Sequence, residues 1–444
     1  MLLPMQPHKA FALTVALLLG VLLIGCAAHD GVLREPRLTN PPRTEAWLGQ
    51  VAGPQNENQA EPATAAERMY AGAVRLPLSD DWTWELPDEG RWAISRLELG
   101  VPQFDGDRVL VGSSRSAGLF VLERTTGRLL RTIETEGPVQ AAPTRIASGW
   151  LLVDSFGNLQ RLDDDLEPVW PKPYATQGAV FSSAALDGDQ VLVATSDDTV
   201  VAVGLEDGLW RWSHRRDVTR GALELAILGA PTPQVRGDEV LAGFSDGALV
   251  GLDRATGLEK WSVQVGDGQF PDIQSEPVVF DDLIVVGAFG GPLLGIDANS
   301  QAIRWRNEDL GASTTMTLVD EALYVSDAKG SLHSINPRTG VADWTWEVKN
   351  SQLGSPMRVA GMLLVGDLGG TLHAIDRYEG TSLWTYRPSD GIRIAGIAAA
   401  PRSAGRQVLV LTAGGTVRSL LAPAGTPTDL SEEPAHRNDR ALSW

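Results

Sequence analysis

The chain has 444 residues, 43% hydrophobic and 21% charged, which is enough apolar content for a sizeable core and unlike a disordered or fibrous composition. Its formal net charge of −19 speaks against nucleic acid as a partner and against electrostatic adhesion to anionic lipid. A single cysteine leaves no intrachain disulfide to rely on, so stability must come from packing.

In chain order, Lys9 is the only charged residue ahead of an apolar run from Phe11 to Ile24, a run too short to cross a bilayer comfortably. The run ends in Leu23-Ile24-Gly25-Cys26. This resembles the lipobox of bacterial lipoproteins, which implies a signal peptide over 1–25 and a lipidated Cys26 as the mature N-terminus. Several acyl chains, at about 0.8 kcal/mol per buried methylene, hold a protein stably on a membrane. Ala27 follows, not the aspartate that would favour inner-membrane retention. Residues 26–80 are rich in Pro, Asn, Gln, Glu and Ala with little periodicity, and read as a flexible tether. Trp47 is its one tryptophan and reads as a local contact.

From Trp82 to Leu421 one short pattern keeps returning. Its clearest copy is Val250-Gly251-Leu252-Asp253-Arg254-Ala255-Thr256-Gly257-Leu258-Glu259-Lys260-Trp261. It reads as a strand, a turn closed by glycine, and a second strand ending on tryptophan. The aspartate suits backbone N–H groups within the turn, and the glycine supplies a positive φ. Copies run from Ile375 to Trp384, Ile335 to Trp344, and Ile296 to Trp305, with looser ones from Val203 to Trp212, Leu162 to Trp170 and Leu122 to Arg131. Between them lie eight apolar runs, beginning at Arg108, Trp150, Gln190, Glu239, Leu283, Ala322, Met362 and Gln407. Such runs, bounded by Asp/Gly turns, predict strands buried on both faces.

Eight units of about 42 residues match the size of four-stranded propeller blades. The predicted fold is all-β: an eight-bladed β-propeller of antiparallel blades over residues 81–422. The eighth unit stops after Thr416–Leu420 without a tryptophan strand, whereas Trp82-Thr83-Trp84-Glu85 stands ahead of the first unit and resembles Trp344-Thr345-Trp346-Glu347. That N-terminal strand is expected to complete the last blade and close the ring, removing a sheet edge. Residues 423–444 read as a disordered tail. Trp170, Trp212, Trp261, Trp305, Trp344 and Trp384 hold equivalent positions and are expected to fill the spaces between blades. His333 and His373 also sit at a repeat position, three residues before Asn336 and Asp376, which explains them better than a metal pair. No nucleophile motif, phosphate loop or metal-spaced cluster is seen, so neither catalytic nor cofactor or metal-binding residues are assigned.

The Asp…Gly…Trp repeats resemble the PQQ-type propeller repeat, and with the lipobox and eight units the chain resembles the BamB family of outer-membrane assembly lipoproteins. The resemblance covers about residues 82–421. It implies a non-catalytic scaffold at the outer membrane, facing the periplasm, docked on the barrel-forming subunit BamA and serving unfolded outer-membrane protein precursors. In that family two neighbouring loops carry a Leu-x-Leu-Arg and an Asp-x-Asp stretch that contact BamA. Here Leu223 and Leu225 match the leucines, and the arginine falls on Ala226 without a gap or on Arg220 with one. Asp272 matches the first acid, and Gln274 replaces the second. The leucines either form an exposed anchor patch or tuck against the propeller itself.

Two other functions are compatible with parts of the sequence. A generic envelope scaffold would bind another periplasmic protein or cell-wall glycan through a propeller face. A PQQ-dependent dehydrogenase, by resemblance, calls for a longer chain with cofactor-covering insertions, often a vicinal cysteine pair, and Ca²⁺-ligating acids. The lone cysteine and the uniform units argue against it.

Overall fold

The structure, a computed structural model, describes residues 50–51, 76–87, 98–217, 230–267, 271–289, 291–310, 313–327, 329–359, 361–388, 393–399 and 406–423. Its strands form eight sheets arranged as an eight-bladed β-propeller. In chain order, blades 1 to 7 span 103–138, 144–175, 185–215, 234–264, 278–307, 313–347 and 357–386. Blade 8 takes Ile394–Ala399, Gln407–Thr412 and Thr416–Leu421, with Ser79–Glu85 as its outermost strand. The eight apolar runs are the second strand of each blade. In blades 2, 3, 4, 5, 7 and 8 they are buried from end to end, as expected for strands with a sheet face packed on either side.

The ring closes as predicted, with Trp84 opposite Val417 and Glu85 opposite Thr416 in an antiparallel pairing. The strand begins at Ser79, and Leu78 is already part of the core, so the folded body starts slightly upstream of residue 81. The expected tether over 26–80 also contains one departure. Gln50–Val51 pairs in parallel with Gly396 and Ile397 on the innermost strand of blade 8.

The apolar core is divided into slabs between neighbouring blades. One slab joins Leu151, Val153 and Leu159 to Val191 and Val193. Another joins Leu241 and Leu249 to Ile284, Val286 and Ile296. The closing seam holds Trp82, Val109, Phe120, Leu409 and Val417. Fully burying each such side chain contributes about 1.5–3 kcal/mol, so each blade depends on its neighbours.

A tryptophan locks five of the seams. Trp82, Trp170, Trp212, Trp305 and Trp344 each lie over a glycine of the next blade: Gly127, Gly208, Gly257, Gly340 and Gly380. A Cβ there would come within 2.3–2.7 Å of the ring. Each of these glycines has φ between 65° and 70°, so it is needed both for its conformation and for its missing side chain. The indole N–H donates to the carbonyl three residues before that glycine, at Arg124, Leu205, Arg254, Pro337 and Arg377, over 2.8–3.1 Å. The turn aspartates act as predicted: Asp253 Oδ1 accepts the N–H groups of Ala255 and Thr256, and Asp376 Oδ1 those of Tyr378 and Glu379.

Two tryptophans depart from the expected docking. Blade 5 has Gln301 with φ 60° in the glycine place, and Trp261 donates to Glu239 of its own blade and lies over Gly251. Blade 8 has no hairpin turn between its third and outermost strands, because the latter comes from the N-terminus. Trp384 instead stacks on Tyr386, with ring centroids 5.8 Å apart. In blade 1, where the tryptophan is replaced, Arg131 crosses the seam to Glu167 at 2.5 Å.

Two outcomes follow. Trp82→Ala should cost about 3–5 kcal/mol, as for other buried Trp truncations, whereas Trp210→Ala, at a 57% exposed position, should change stability by less than about 0.5 kcal/mol; urea unfolding of the two variants checks both. Hydrogen bonds from Thr256 to Asp253 and from the Ser300 N–H to Asp297 hold those carboxyls below the usual range. In Asp327 burial pushes the other way, yet bonds from His333 and the Ser331 N–H win and the pKa is lowered. A depressed carboxyl stabilises the fold above the unfolded pKa, about 3.9 for Asp, and that stability is lost as pH falls through the folded value. The urea midpoint should therefore be flat with respect to these groups above about pH 5 and fall steadily below about pH 4.

Candidate partner-docking face

Strands alternate in direction, so the disc has two unlike faces. Turns between first and second and between third and fourth strands lie on one, the turn face. Turns between second and third strands and the connectors between blades lie on the other, the connector face.

The turn face is rich in acids tied to arginines, many of them across seams. Arg254 pairs with Asp187, Arg338 with Asp281, Arg377 with Asp320 and Arg161 with Glu206, each on a neighbouring blade. Arg338–Asp281 is exposed on both sides and contributes little, whereas Asp187, Arg377 and Arg161 are buried and need their partners to offset lost hydration; together the pairs repeat the seam geometry at the rim of an acidic face.

The connector face holds the two loops singled out in the sequence. Arg220, Leu223 and Leu225 fall in 218–229, outside the described residues, as does Cys26. The stems of the loops are described, and they meet on one turn, Phe244–Gly247 of blade 4. From the first loop, Arg216 donates through Nε to Asp246 at 2.6 Å, lies 3.6 Å from Glu259, and places its guanidinium 5.9 Å from the centre of the Phe244 ring. Its backbone N–H reaches the carbonyl of Asp198, whose side chain in turn accepts bonds from Ser245. His214 packs edge-on against Phe244 and lies 4.0 Å from Glu259. Desolvation outweighs that acid and lowers its pKa, which favours the neutral ring. From the second loop, the Ile273 N–H donates to the Phe244 carbonyl at 3.2 Å, and Pro271 lies against Gly247 so closely that a Cβ there would sit 2.8 Å away.

Asp272 and Gln274 are both buried, 8% and 7% exposed, so neither carboxylate nor amide projects from the surface as an exposed contact. The Asp272 carbonyl accepts the Phe289 N–H at 2.8 Å, which ties the loop to blade 5. Both polar atoms of the Gln274 side chain lack a hydrogen-bond partner among the described residues. Two residues on, Glu276 is reached by solvent yet ringed by protein, and lost hydration raises its carboxyl pKa.

The sequence reading missed Phe244 and Arg216. The equivalent of Phe244 in other units is small or polar, as in Asp154, Thr195, Asp327, Asp367 and Thr412, and that break in the repeat was the available signal. The two histidines form repeated turn contacts: His373 Nε2 lies 2.9 Å from Asp367 and His333 Nε2 lies 3.4 Å from Asp327. Among the described residues no group of three His, Cys, Asp or Glu side chains is placed to hold a metal ion.

Comparison with known proteins agrees with this architecture. The sequence profile of the family described as "Outer membrane protein assembly factor BamB" matches residues 77–215, 148–345 and 328–428. The chain belongs to the BamB family. Among solved structures, BamB from Moraxella catarrhalis is 20% identical with a TM-score of 0.61, the match covering 78% of this chain and all of that one. The computationally designed protein Ika8 is 16% identical with a TM-score of 0.61, over 77% of this chain and 99% of that one. A quinohemoprotein alcohol dehydrogenase from Pseudomonas putida HK5 is 11% identical with a TM-score of 0.59, over 82% and 81%. At these identities the likenesses carry the fold alone. No curated protein sequence matches the chain.

The unpaired Gln274 amide gives a test. Gln274→Met removes a buried polar group at nearly constant shape and should leave stability unchanged or raise it by up to about 1 kcal/mol. Gln274→Glu, which buries a charge, should lower it by more than about 1 kcal/mol. Urea unfolding of the pair reads both, and a loss in Gln274→Met comparable to that in Gln274→Glu would mean that the amide is engaged in the native chain.

Proposed function

We propose that the chain is a non-catalytic scaffold lipoprotein of the outer-membrane β-barrel assembly machinery. In this reading a lipid on Cys26 anchors it at the outer membrane, facing the periplasm. It docks on a BamA-like barrel assembly subunit through the connector-face loops and helps to position unfolded outer-membrane protein precursors. The observation that carries the reading is the convergence of two loop stems on Phe244–Gly247. A shared rigid turn holds both loops at one place on the disc, which lowers the ordering cost of binding a partner there. Family membership supports the same assignment. With Asp272 and Gln274 buried, their part in docking is to shape and hold the second loop, while Leu223, Leu225 and Arg220 supply the side-chain contacts.

A scaffold is favoured over alcohol oxidation by the regular blades and by the single cysteine, which cannot form a vicinal disulfide. Precursor segments have outermost blade strands available for β-addition, the longest being Leu129–Pro138 of blade 1.

Replacing Leu223 and Leu225 together by Asp should reduce co-purification of the BamA-like subunit from detergent-solubilised envelopes at least tenfold, with the thermal midpoint unchanged. Full retention of that subunit by the double variant, or recovery of a different envelope complex by the parent chain, would refute the docking assignment.

A further inference from the structure

The pairing of Gln50–Val51 with blade 8 determines more than the position of two residues. Innermost strands of neighbouring blades approach one another, as Met357–Val359 and Gln103–Asp105 both do against Ile394–Ala399. They therefore line the centre of the ring, and the free edge of each faces the central channel. In blades 1 to 5 and 7 these strands have three residues. In blade 8 the strand has six, Ile394–Ala399, with the sequence Ile-Ala-Gly-Ile-Ala-Ala. Its backbone edge is longer than in those blades, and only Ser313–Val319 of blade 6, with seven residues, is longer. Gln50 and Val51 occupy that edge opposite Gly396 and Ile397, as a fifth strand of the sheet.

We infer that the N-terminal tether is pinned inside the central channel by β-addition to the innermost strand of blade 8, and that this pin directs the lipid anchor to the connector face. Strand direction carries the second half. An innermost strand runs from the connector face to the turn face, and the Gln50–Val51 pairing is parallel to it. The chain therefore reaches Gln50 from the connector face and leaves Val51 toward the turn face. The closing strand Ser79–Glu85 is antiparallel to Thr416–Leu421, so it starts at the turn face. The path from Val51 to Ser79 thus begins and ends at the same face, and no crossing of the disc is required.

Reach changes accordingly. From Cys26 to Ser79 an extended chain spans at most about 180 Å, whereas from Cys26 to Gln50 it spans about 85 Å. The pin thus more than halves the distance at which the propeller hangs from its anchor. It brings anchor and docking loops to the same side of the disc, while the acidic turn face is directed away from anionic lipid. A pairing this short holds because it is intramolecular, at an effective concentration on the order of millimolar. The orientation rests on the lipid reading of Cys26, whereas the pin itself does not.

The test separates the two. In the otherwise full chain carrying Cys26→Ser, mild oxidation of a Val51→Cys, Ile397→Cys pair should give an intramolecular disulfide in most molecules. A Val51→Cys, Val279→Cys pair, directed to blade 5, should give under a tenth of that yield. Equal yields, or none from either pair, would overturn the pin. Gln50→Pro with Val51→Pro removes whichever N–H of the pair faces blade 8 and should speed amide exchange at Gly396–Ala398 at least tenfold while leaving Trp82–Glu85 unchanged; unaltered exchange at Gly396–Ala398 would likewise overturn it. With the native Cys26 chain bound to vesicles that contain an acceptor-labelled lipid, a donor at Lys329→Cys on the connector face should transfer more energy than one at Asp107→Cys on the turn face. The reverse order would overturn the orientation. Failure to bind vesicles at all would remove the lipid anchor and leave the crosslink result standing.

Discussion

The structure depends on a contact that no single blade can make, an indole ring laid over the bare backbone of a glycine in the next blade. Three requirements meet there. The turn needs a left-handed residue, the ring needs a surface without a Cβ, and the indole N–H needs an acceptor that does not compete with the sheet. The glycine meets the first two, and the carbonyl three residues earlier meets the third. The Asp–Gly–Trp spacing of the repeat is the sequence record of this contact, with the tryptophan of one unit reading the glycine of the next. Closure follows from the same rule. Trp82 comes from the beginning of the chain and docks on Gly127 of blade 1, so the last seam has the same chemistry as the internal ones.

A ring built this way separates its two faces chemically. The turn face is where aspartates and arginines hold the hairpins and bridge the seams, so it is occupied by charged groups already engaged with one another. The connector face carries the links between blades, whose lengths are not constrained by the seam. Insertions accumulate there at little cost, since loop-closure entropy grows only slowly with length. The long connector between blades 3 and 4 and the neighbouring one between blades 4 and 5 are of this kind. They are not free of the body, however: Arg216 from one and Ile273 from the other converge on Phe244–Gly247.

Much of the fold was legible because the repeat is a physical pattern that reports itself eight times. Continuous apolar runs mark strands covered on both faces, and the missing eighth tryptophan together with the extra N-terminal one marks ring closure. What the repeat average hid was its exceptions. Trp261 shares the repeat position of the docking tryptophans, but Gln301 stands where its glycine should be, and it turns to Glu239 instead. Trp384 has no hairpin to meet, because blade 8 is assembled from two ends of the chain. The site was less legible for a related reason. Asp272 and Gln274 stand out by position within a family pattern, and position does not report burial. Phe244 gives no such signal, because an apolar residue beside an apolar strand looks like core. Its significance lies in replacing a small or polar residue of the other blades.

The Gln50–Val51 pairing was invisible in the sequence for the opposite reason. Two residues in a segment poor in apolar periodicity give no strand signal, and their pairing comes from an edge that exists only once the ring is built. That dependence has a consequence for how the parts act together. Closing the ring places the strand after the tether on the outside of blade 8 and leaves the inner edge of the same blade open to the channel. One sheet therefore receives the N-terminal region twice, once as its outermost strand and once at its innermost edge. Both contacts fall on the same sheet, so a load on either is carried by blade 8. Blade 8 packs directly against blades 7 and 1 through the apolar slabs on its two sides. Three blades, not one, therefore bear whatever acts on the two N-terminal contacts.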